Sequence, residues 1–147
     1  PDARAGFFGI SPHTTRAELQ RAVFEGLAFA IVDALQGYPQ GGELYLTGGG
    51  AASATWLQII ADCTGRTVVS SAFNELSARG AAILAARSVA ALAETPPLAQ
   101  TRYQPRPQAH ARYAALYPVY RLLREQMLPV WQARQAALQP LSQDLQP

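Results

Sequence analysis

The sequence predicts an α/β fold in which parallel strands are covered by helices. Strand-like and helix-like segments alternate between residues 43 and 93, and the segment at 43–47 ends abruptly at three consecutive glycines. This order is typical of a parallel βαβ unit with a right-handed crossover. A parallel sheet of two strands is too small to be a domain, because parallel sheets are usually larger and covered on both faces. The pattern therefore resembles the end of a larger α/β domain.

The composition excludes several classes of protein. The chain has 147 residues, of which 49% are hydrophobic and 15% charged, so a packed core is expected and wholesale disorder is not. A net charge of +2 gives no electrostatic footprint for nucleic acid. All 12 basic residues are Arg, which excludes a P-loop lysine and a Schiff-base lysine.

Cysteine and histidine are scarce. Cys63 is the single cysteine, so an internal disulfide is impossible, and its apolar neighbours favour a buried structural thiol. With only His13 and His110 and no zinc spacing, a dedicated metal cage is not expected. We found no segment long enough to span a membrane and no signal peptide, so the sequence predicts a cytoplasmic protein.

The first helix has clear signals at both ends. Residues 1–14 are predicted as a loop or short strand, and Thr15 with Glu18 forms a capping box. The helix should continue to about Gln36 and end at Gly37. Apolar residues recur at every fourth position and predict burial on more than one side: Leu19, Val23, Leu27, Ile31 and Leu35.

Two further helices and a second strand complete the alternation. Ser53 suits the N-cap of the second helix and Gly65 its C-cap. A strand is predicted at 67–70 and a third helix at about 76–93.

The last third of the chain is predicted to be helical. A Pro-rich connector spans 95–107, and a helix over 108–140 should pack on the same domain. Pro118 and Pro129 are expected to kink or divide this helix. Its apolar residues alternate in steps of three and four, as in a packing seam: Tyr113, Leu116, Tyr120, Leu123, Met127 and Val130.

The glycine turn is the feature that carries chemistry. Gly48, Gly49 and Gly50 allow positive φ angles and leave no Cβ to obstruct a ligand. The N-terminus of the following helix would point its free N–H groups at this turn, which suits the phosphate or ribose oxygens of a nucleotide. A dinucleotide fingerprint is a weaker alternative, because Ser53 replaces the third small residue and no acidic residue ends the next strand. A glycine turn without a ligand is the other alternative.

Several other side chains favour structural roles. Glu25 is expected to be a buried, hydrogen-bonded carboxylate, and Asp62 to lie at the surface or to cap a helix. Trp56 is expected in the core. Gly80 is expected to let the third helix approach the glycine turn closely.

Four motifs in order resemble the FGGY family of carbohydrate kinases, over about residues 4–130. Gly48–Ala51 with Ser53 and Trp56, followed by 58–62 and Gly65-Arg66, is similar to that family's adenosine motif, particularly in its xylulokinase-like branch. The other resemblances are the segments 13–29 and 75–82 and the tyrosine-bearing helix.

This resemblance implies the ribonuclease-H-like fold of actin, hexokinase and Hsp70, with residues 1–94 forming part of a nucleotide-binding domain. It implies that ATP and Mg²⁺ bind in a cleft and that a sugar or polyol hydroxyl is phosphorylated. The residues expected at the nucleotide are Gly48, Gly49, Gly50, Ala51 and Ser53. Ala52 and Ala54 replace an Arg and an Asn that family branches carry, and each replacement removes a polar contact.

The resemblance also implies that the catalytic Asp and the sugar-binding residues lie upstream of this region. The 147 residues alone are therefore predicted to be inactive, and no catalytic residue is assigned in them. The alternative is a catalytically inactive kinase-like fragment that binds a nucleotide or a protein partner. A homodimer is a further expectation, whereas nucleic acid and membrane are not expected partners.

Overall fold

The computed structural model describes residues 4–39, 41–71, 75–89 and 98–143. These ranges contain four helices, three strands and one 3₁₀ turn. They are α1 (Arg16–Ala34), β1 (Leu44–Leu46), the 3₁₀ turn (Gly49–Ala52), α2 (Ala54–Thr64), β2 (Val68–Ser71), α3 (Leu76–Val89), β3 (Gln100–Tyr103) and α4 (Pro107–Gln143).

The sheet has the order β1-β2-β3. β1 and β2 are parallel, with Tyr45 opposite Val69, so the predicted βαβ unit is confirmed. β3 pairs with β2 in the antiparallel direction, with Ser71 opposite Gln100 and Val68 opposite Tyr103. The carboxyl ends of β1 and β2 therefore lie at one end of the sheet, and the chain leaves β3 toward α4 at the other end.

β3 was not predicted, because residues 95–107 were interpreted as a connector. Three of its four residues are exposed, and it lacks the apolar run that marks a buried strand. β3 is an edge strand that is held by backbone hydrogen bonds to β2 on one side. Such pairing does not require apolar side chains, so a polar sequence can form it. Residues 95–97 of the connector lie outside the described residues.

α2 is the central element of the core. It contacts α1, α4 and β2, and its C-cap Gly65 has the left-handed φ of 67° that was predicted. The buried apolar residues come mainly from α2, with contributions from α1, β2 and α4: Ala28, Phe29, Leu57, Ile59, Ile60, Ala61, Cys63, Val68, Val69 and Tyr113.

α4 packs on α1 through aromatic rings. Phe29 lies 5.9 Å from Tyr113, 5.9 Å from Tyr117 and 5.2 Å from Tyr120, measured between ring centroids. The predicted packing seam is therefore confirmed at its tyrosines. This contact fixes the N-terminal half of α4 against the first helix.

The prolines of α4 do not divide the helix, and the alternative expectation of a kink stays a prediction. The helix runs without interruption through Pro118 and Pro129. Each proline removes one intrahelical hydrogen bond, and the contacts of Tyr117 and Tyr120 hold α4 on both sides of Pro118.

α3 lies at the surface of the fold. α3 has no buried residue in its described range Leu76–Val89, and its predicted continuation to residue 93 lies outside the described residues. Within the described part of the chain, no helix is both long enough and apolar enough to cross a bilayer.

Candidate functional site

The glycine turn lies at the carboxyl end of β1. Gly48 has φ 86° and ψ −172°, a conformation that only glycine adopts readily, and it reverses the chain directly after the strand. Gly49 and Gly50 have no positive φ. Of the three glycines, Gly48 uses the freedom to adopt a positive φ, whereas Gly49 and Gly50 begin a right-handed 3₁₀ turn.

The 3₁₀ turn is tied to the sheet. The N–H of Ala51 donates to the carbonyl of Gly48 at 2.9 Å. The hydroxyl of Ser70, at the end of β2, donates to the carbonyl of Ala51 at 3.3 Å. Ala51 packs against the core, so the turn is anchored on its inner side.

Ser53 caps α2. Its hydroxyl oxygen accepts a hydrogen bond from the N–H of Trp56 at 3.3 Å, which satisfies one of the free N–H groups at the helix N-terminus. The predicted N-cap is confirmed. No described residue accepts a hydrogen bond from the Ser53 hydroxyl, so its proton can be donated to a ligand.

The outer side of the turn is open. Among the described residues, a Cβ built on Gly48 or on Gly49 would meet no atom within 4 Å, whereas one on Gly50 would lie 3.5 Å from the indole nitrogen of Trp56. Trp56 in turn packs on Phe24, with ring centroids 5.4 Å apart. The three glycines thus form a bare backbone surface on an aromatic support, which is the arrangement that close approach of a ligand requires.

The structure therefore brings the predicted residues Gly48, Gly49, Gly50, Ala51 and Ser53 into one corner between β1 and α2. The predicted approach of Gly80 is not observed, because no described atom lies within 4 Å of a Cβ built there. In the described ranges, no group of three or more His, Cys, Asp or Glu side chains could hold a metal ion.

A second polar arrangement lies at the opposite end of α2. Asp62 is fully buried, so the predicted surface or capping role is wrong. Arg106 donates to its carboxylate from the backbone N–H at 2.8 Å, from Nε at 3.0 Å and from Nη2 at 2.5 Å. Gln58 donates to the same carboxylate at 3.0 Å. Burial raises the pKa of Asp62, but the hydrogen bonds from Arg106 and Gln58 outweigh burial and lower this pKa below its ordinary value of 3.8.

A third arrangement joins α1 to α4. Arg21 donates to Glu25 at 2.7 Å and to the hydroxyl oxygen of Tyr113 at 2.7 Å, and that hydroxyl donates to Glu25 at 2.7 Å. Burial and the bond to Glu25 raise the pKa of Tyr113 to about 12. The predicted structural role of Glu25 is supported, although its side chain is 27% exposed and only partly buried.

The pairing of Asp62 with Arg106 was not predicted, because the two residues are 44 positions apart in the sequence. Arg106 precedes Pro107 at the start of a helix, which was the available signal, since the residue before a helical proline is held in an extended or capping conformation.

The fold matches that of sugar kinases of known structure. The crystal structure of xylulose kinase from Rhodospirillum rubrum superimposes with a TM-score of 0.76 and 29% sequence identity, over 90% of this chain and 29% of that chain. The fold is therefore part of an actin/hexokinase-like ATPase domain, with helices packed on a small sheet.

The C-terminal domain model of the FGGY family of carbohydrate kinases matches residues 1–89. The chain is 33% identical over 125 residues to the probable L-xylulose kinase of Pasteurella multocida, a match that covers 82% of this chain and 26% of the relative. It is 34% identical over 140 residues to the erythritol kinase of Brucella abortus, covering 88% of this chain and 27% of the relative. The chain belongs to the FGGY carbohydrate kinase family. It spans about a quarter of the length of these relatives.

Proposed function

We propose that the protein containing this chain transfers a phosphoryl group from ATP to a hydroxyl of a sugar or polyol, and that this chain supplies the adenosine-binding side of the site. The open glycine corner between β1 and α2 is the observation that carries the proposal. It stands at the carboxyl end of a parallel strand, where ligands bind in open α/β sheets.

The residues of the corner fit a nucleotide. Gly48 and Gly49 present backbone without a side chain, so an adenine or ribose ring can lie directly against it. The N-terminus of α2 adds a partial positive charge and unpaired N–H groups, which favour ribose or phosphate oxygens. Ser53 can donate its hydroxyl proton to the same ligand. Ala51 anchors the inner side of the corner, because its carbonyl accepts the hydroxyl of Ser70 in β2.

The remaining parts of the reaction fall to other groups. Phosphoryl transfer requires a carboxylate that accepts the hydroxyl proton of the substrate, and we assign no residue of this chain to that role. Mg²⁺ would enter with the phosphates of ATP, because this ion is usually held by substrate phosphates and one or two carboxylates. Relatives with the names xylulose kinase and erythritol kinase support a sugar or polyol as the substrate class.

The proposal keeps the cytoplasmic location and the homodimer expected from the sequence. A cytoplasmic location agrees with ATP as the phosphoryl donor. Sedimentation analysis of the full-length protein would test the dimer.

Gly49→Trp is the decisive variant for the nucleotide site. The Cβ of Gly49 points into open space and its φ is not positive, so the substitution fills the corner without straining the fold. Gly50→Trp is less suitable, because it would displace Trp56. We expect calorimetric titration of the chain with ATP and Mg²⁺ to show binding that Gly49→Trp abolishes.

Gly6→Trp is the matched control, since Gly6 is exposed and its Cβ also meets nothing within 4 Å. It should bind ATP as the unsubstituted chain does. ATP binding that survives Gly49→Trp unchanged would overturn the assignment of the corner, and preference for NAD over ATP would favour the dinucleotide alternative. Phosphorylation of xylulose or erythritol by the full-length protein tests the activity, and the chain alone should show none.

A further inference from the structure

A cleft of about 570 Å³ lies beside the contact between α1 and the first turns of α4. Its volume lies within the range of roughly 300–1,000 Å³ that is typical of small-molecule sites. Arginines dominate its wall, and Tyr113 and Leu116 form an apolar side. The lining residues are Arg21, Glu25, Arg106, Gln108, Ala109, Arg112, Tyr113 and Leu116.

The charges of the wall do not balance. Three guanidinium groups face one carboxylate, that of Glu25. Asp62 forms an ion pair with Arg106, but its side chain has no exposed surface and does not line the cleft. Arg112 is exposed and makes no ion pair with any described residue. A concave surface with such an excess concentrates anions.

Two of the arginines are held in place and still present free donors. Glu25 and Tyr113 engage Nε and Nη2 of Arg21, and Asp62 engages Nε and Nη2 of Arg106. The side chains of Arg21 and Arg106 remain 49% and 60% exposed. Because the guanidinium planes are fixed before a ligand arrives, little rotational freedom is lost on binding, and Arg geometry matches phosphate and carboxylate oxygens.

The cleft and the glycine corner are separate sites. The corner lies at the N-terminus of α2, at Ser53, whereas Arg106 is bonded to Asp62 near the C-terminus of that helix. Nine residues of helix place these two points about 13 Å apart. A nucleotide in the corner therefore does not occupy the cleft through its adenosine part.

We propose that this cleft binds the phosphate group of a small phosphomonoester, with Arg21, Arg106 and Arg112 as its ligands. Three guanidinium groups against the two carboxylates of Glu25 and Asp62 leave an excess of one positive charge, which favours an anion, and the fixed Arg donors suit the oxygens of a phosphate group. Tyr113 and Leu116 would contact the organic part of the ligand.

The test is a titration of the ¹⁵N-labelled chain with glycerol 3-phosphate at constant ionic strength. We expect the amide signals of Gln108, Ala109 and Tyr113 to shift, and Arg112→Gln to weaken binding about tenfold through loss of a charge-assisted contact. Arg112 makes no hydrogen bond or ion pair with another described residue, so this variant should remain folded. Arg134→Gln is the matched control, because Arg134 is also exposed and lies about 33 Å further along α4.

Five outcomes decide the proposal. Binding that weakens in Arg112→Gln, but not in Arg134→Gln or Gly49→Trp, supports the cleft independently of the nucleotide corner. Equal weakening in both Arg variants, or no shift at millimolar ligand, overturns the proposal. Equal affinity for glycerol 3-phosphate and succinate would overturn phosphate as the ligand. Inorganic phosphate binding as tightly as glycerol 3-phosphate would overturn the contact with the organic part.

Discussion

Asp62 shows how a single buried charge depends on its partners. Its carboxylate is fully buried, and three of its four hydrogen bonds come from Arg106. Removing one partner of a buried pair leaves an uncompensated charge, which costs more than losing the attraction itself. This pair ties the start of α4 to the end of α2.

Asp62→Asn should lower the free energy of unfolding by about 2 kcal/mol at neutral pH, because charge-assisted hydrogen bonds are replaced by weaker neutral ones. Urea denaturation followed by circular dichroism measures this change. A variant as stable as the unsubstituted chain would show that Arg106 does not stabilise the fold through Asp62.

Arg106→Met should change the pH dependence of stability. In the native chain the pKa of Asp62 lies below 3.8, so its contribution is present above that pH and is lost as the pH falls through the folded-state pKa. Without Arg106, burial would raise the pKa of Asp62 above its unfolded-state value. The stability of the variant should therefore rise, relative to that of the unsubstituted chain, as the pH falls from about 6 to 4. Denaturation at several pH values tests this, with Arg112→Met as the control that should follow the unsubstituted chain.

Gly65→Ala should destabilise the chain by about 2 kcal/mol or more. Gly65 has φ 67°, and a Cβ there would lie 2.6 Å from the ring of His110, which is itself bonded to the carbonyl of Asp62 at 2.9 Å.

Two variants check the origin of this loss. His110→Ala should restore part of the stability of Gly65→Ala by removing the clash, and Gly26→Ala, inside α1 with open space around it, should stabilise by about 0.5–1 kcal/mol. If His110→Ala restores no stability to Gly65→Ala, the whole loss comes from the left-handed backbone conformation at residue 65 and not from the clash.

At the scale of elements, the contact between α1 and α4 depends on Phe29. This ring is 8% exposed and touches three tyrosines of α4. Tyr117 and Arg124 of α4 also bond to Asp33 near the end of α1. Together with the bonds of Arg21 and Glu25 to Tyr113, the two helices are thus joined by one apolar and two polar contacts.

Phe29→Ala should cost about 3–5 kcal/mol, because it leaves a cavity between the two helices. Thermal unfolding measures the loss, and Phe29→Leu should show a smaller one if the alanine variant does not fold. Phe8→Ala is the control, since Phe8 is 78% exposed and its removal should change stability by less than about 0.5 kcal/mol. Equal effects of Phe29→Ala and Phe8→Ala would contradict the described packing.

Elements with local signals were predicted well. The capping box of Thr15 and Glu18 and the N-cap Ser53 lie where the sequence placed them, because each cap satisfies neighbouring N–H groups within three residues. β3 and the pair of Asp62 with Arg106 depend on contacts between distant segments, which no local pattern encodes. The candidate site at residues 48–53 could be proposed from the sequence because its residues are adjacent, but the 3₁₀ conformation of Gly49 and Gly50 was not predicted.

At the scale of the whole molecule, Cys63 reports on unfolding. Burial raises the pKa of its thiol from 9.0 to about 12, and the thiolate is the reactive form. The folded chain should therefore react with iodoacetamide at pH 8 far more slowly than the chain in denaturant. Mass spectrometry of timed samples measures both rates, and rapid labelling in native buffer would contradict a buried thiol.

The edge of the sheet at β1 has a consequence for handling the isolated chain. Among the described strands, β1 pairs only with β2, so alternate peptide groups on its outer side lack a ladder partner. The strand is Leu44–Leu46 and carries no charged residue or proline that would discourage another strand from adding there. Concentrated solutions should consequently form intermolecular β-structure, and aggregation should begin at this border before any helix is lost.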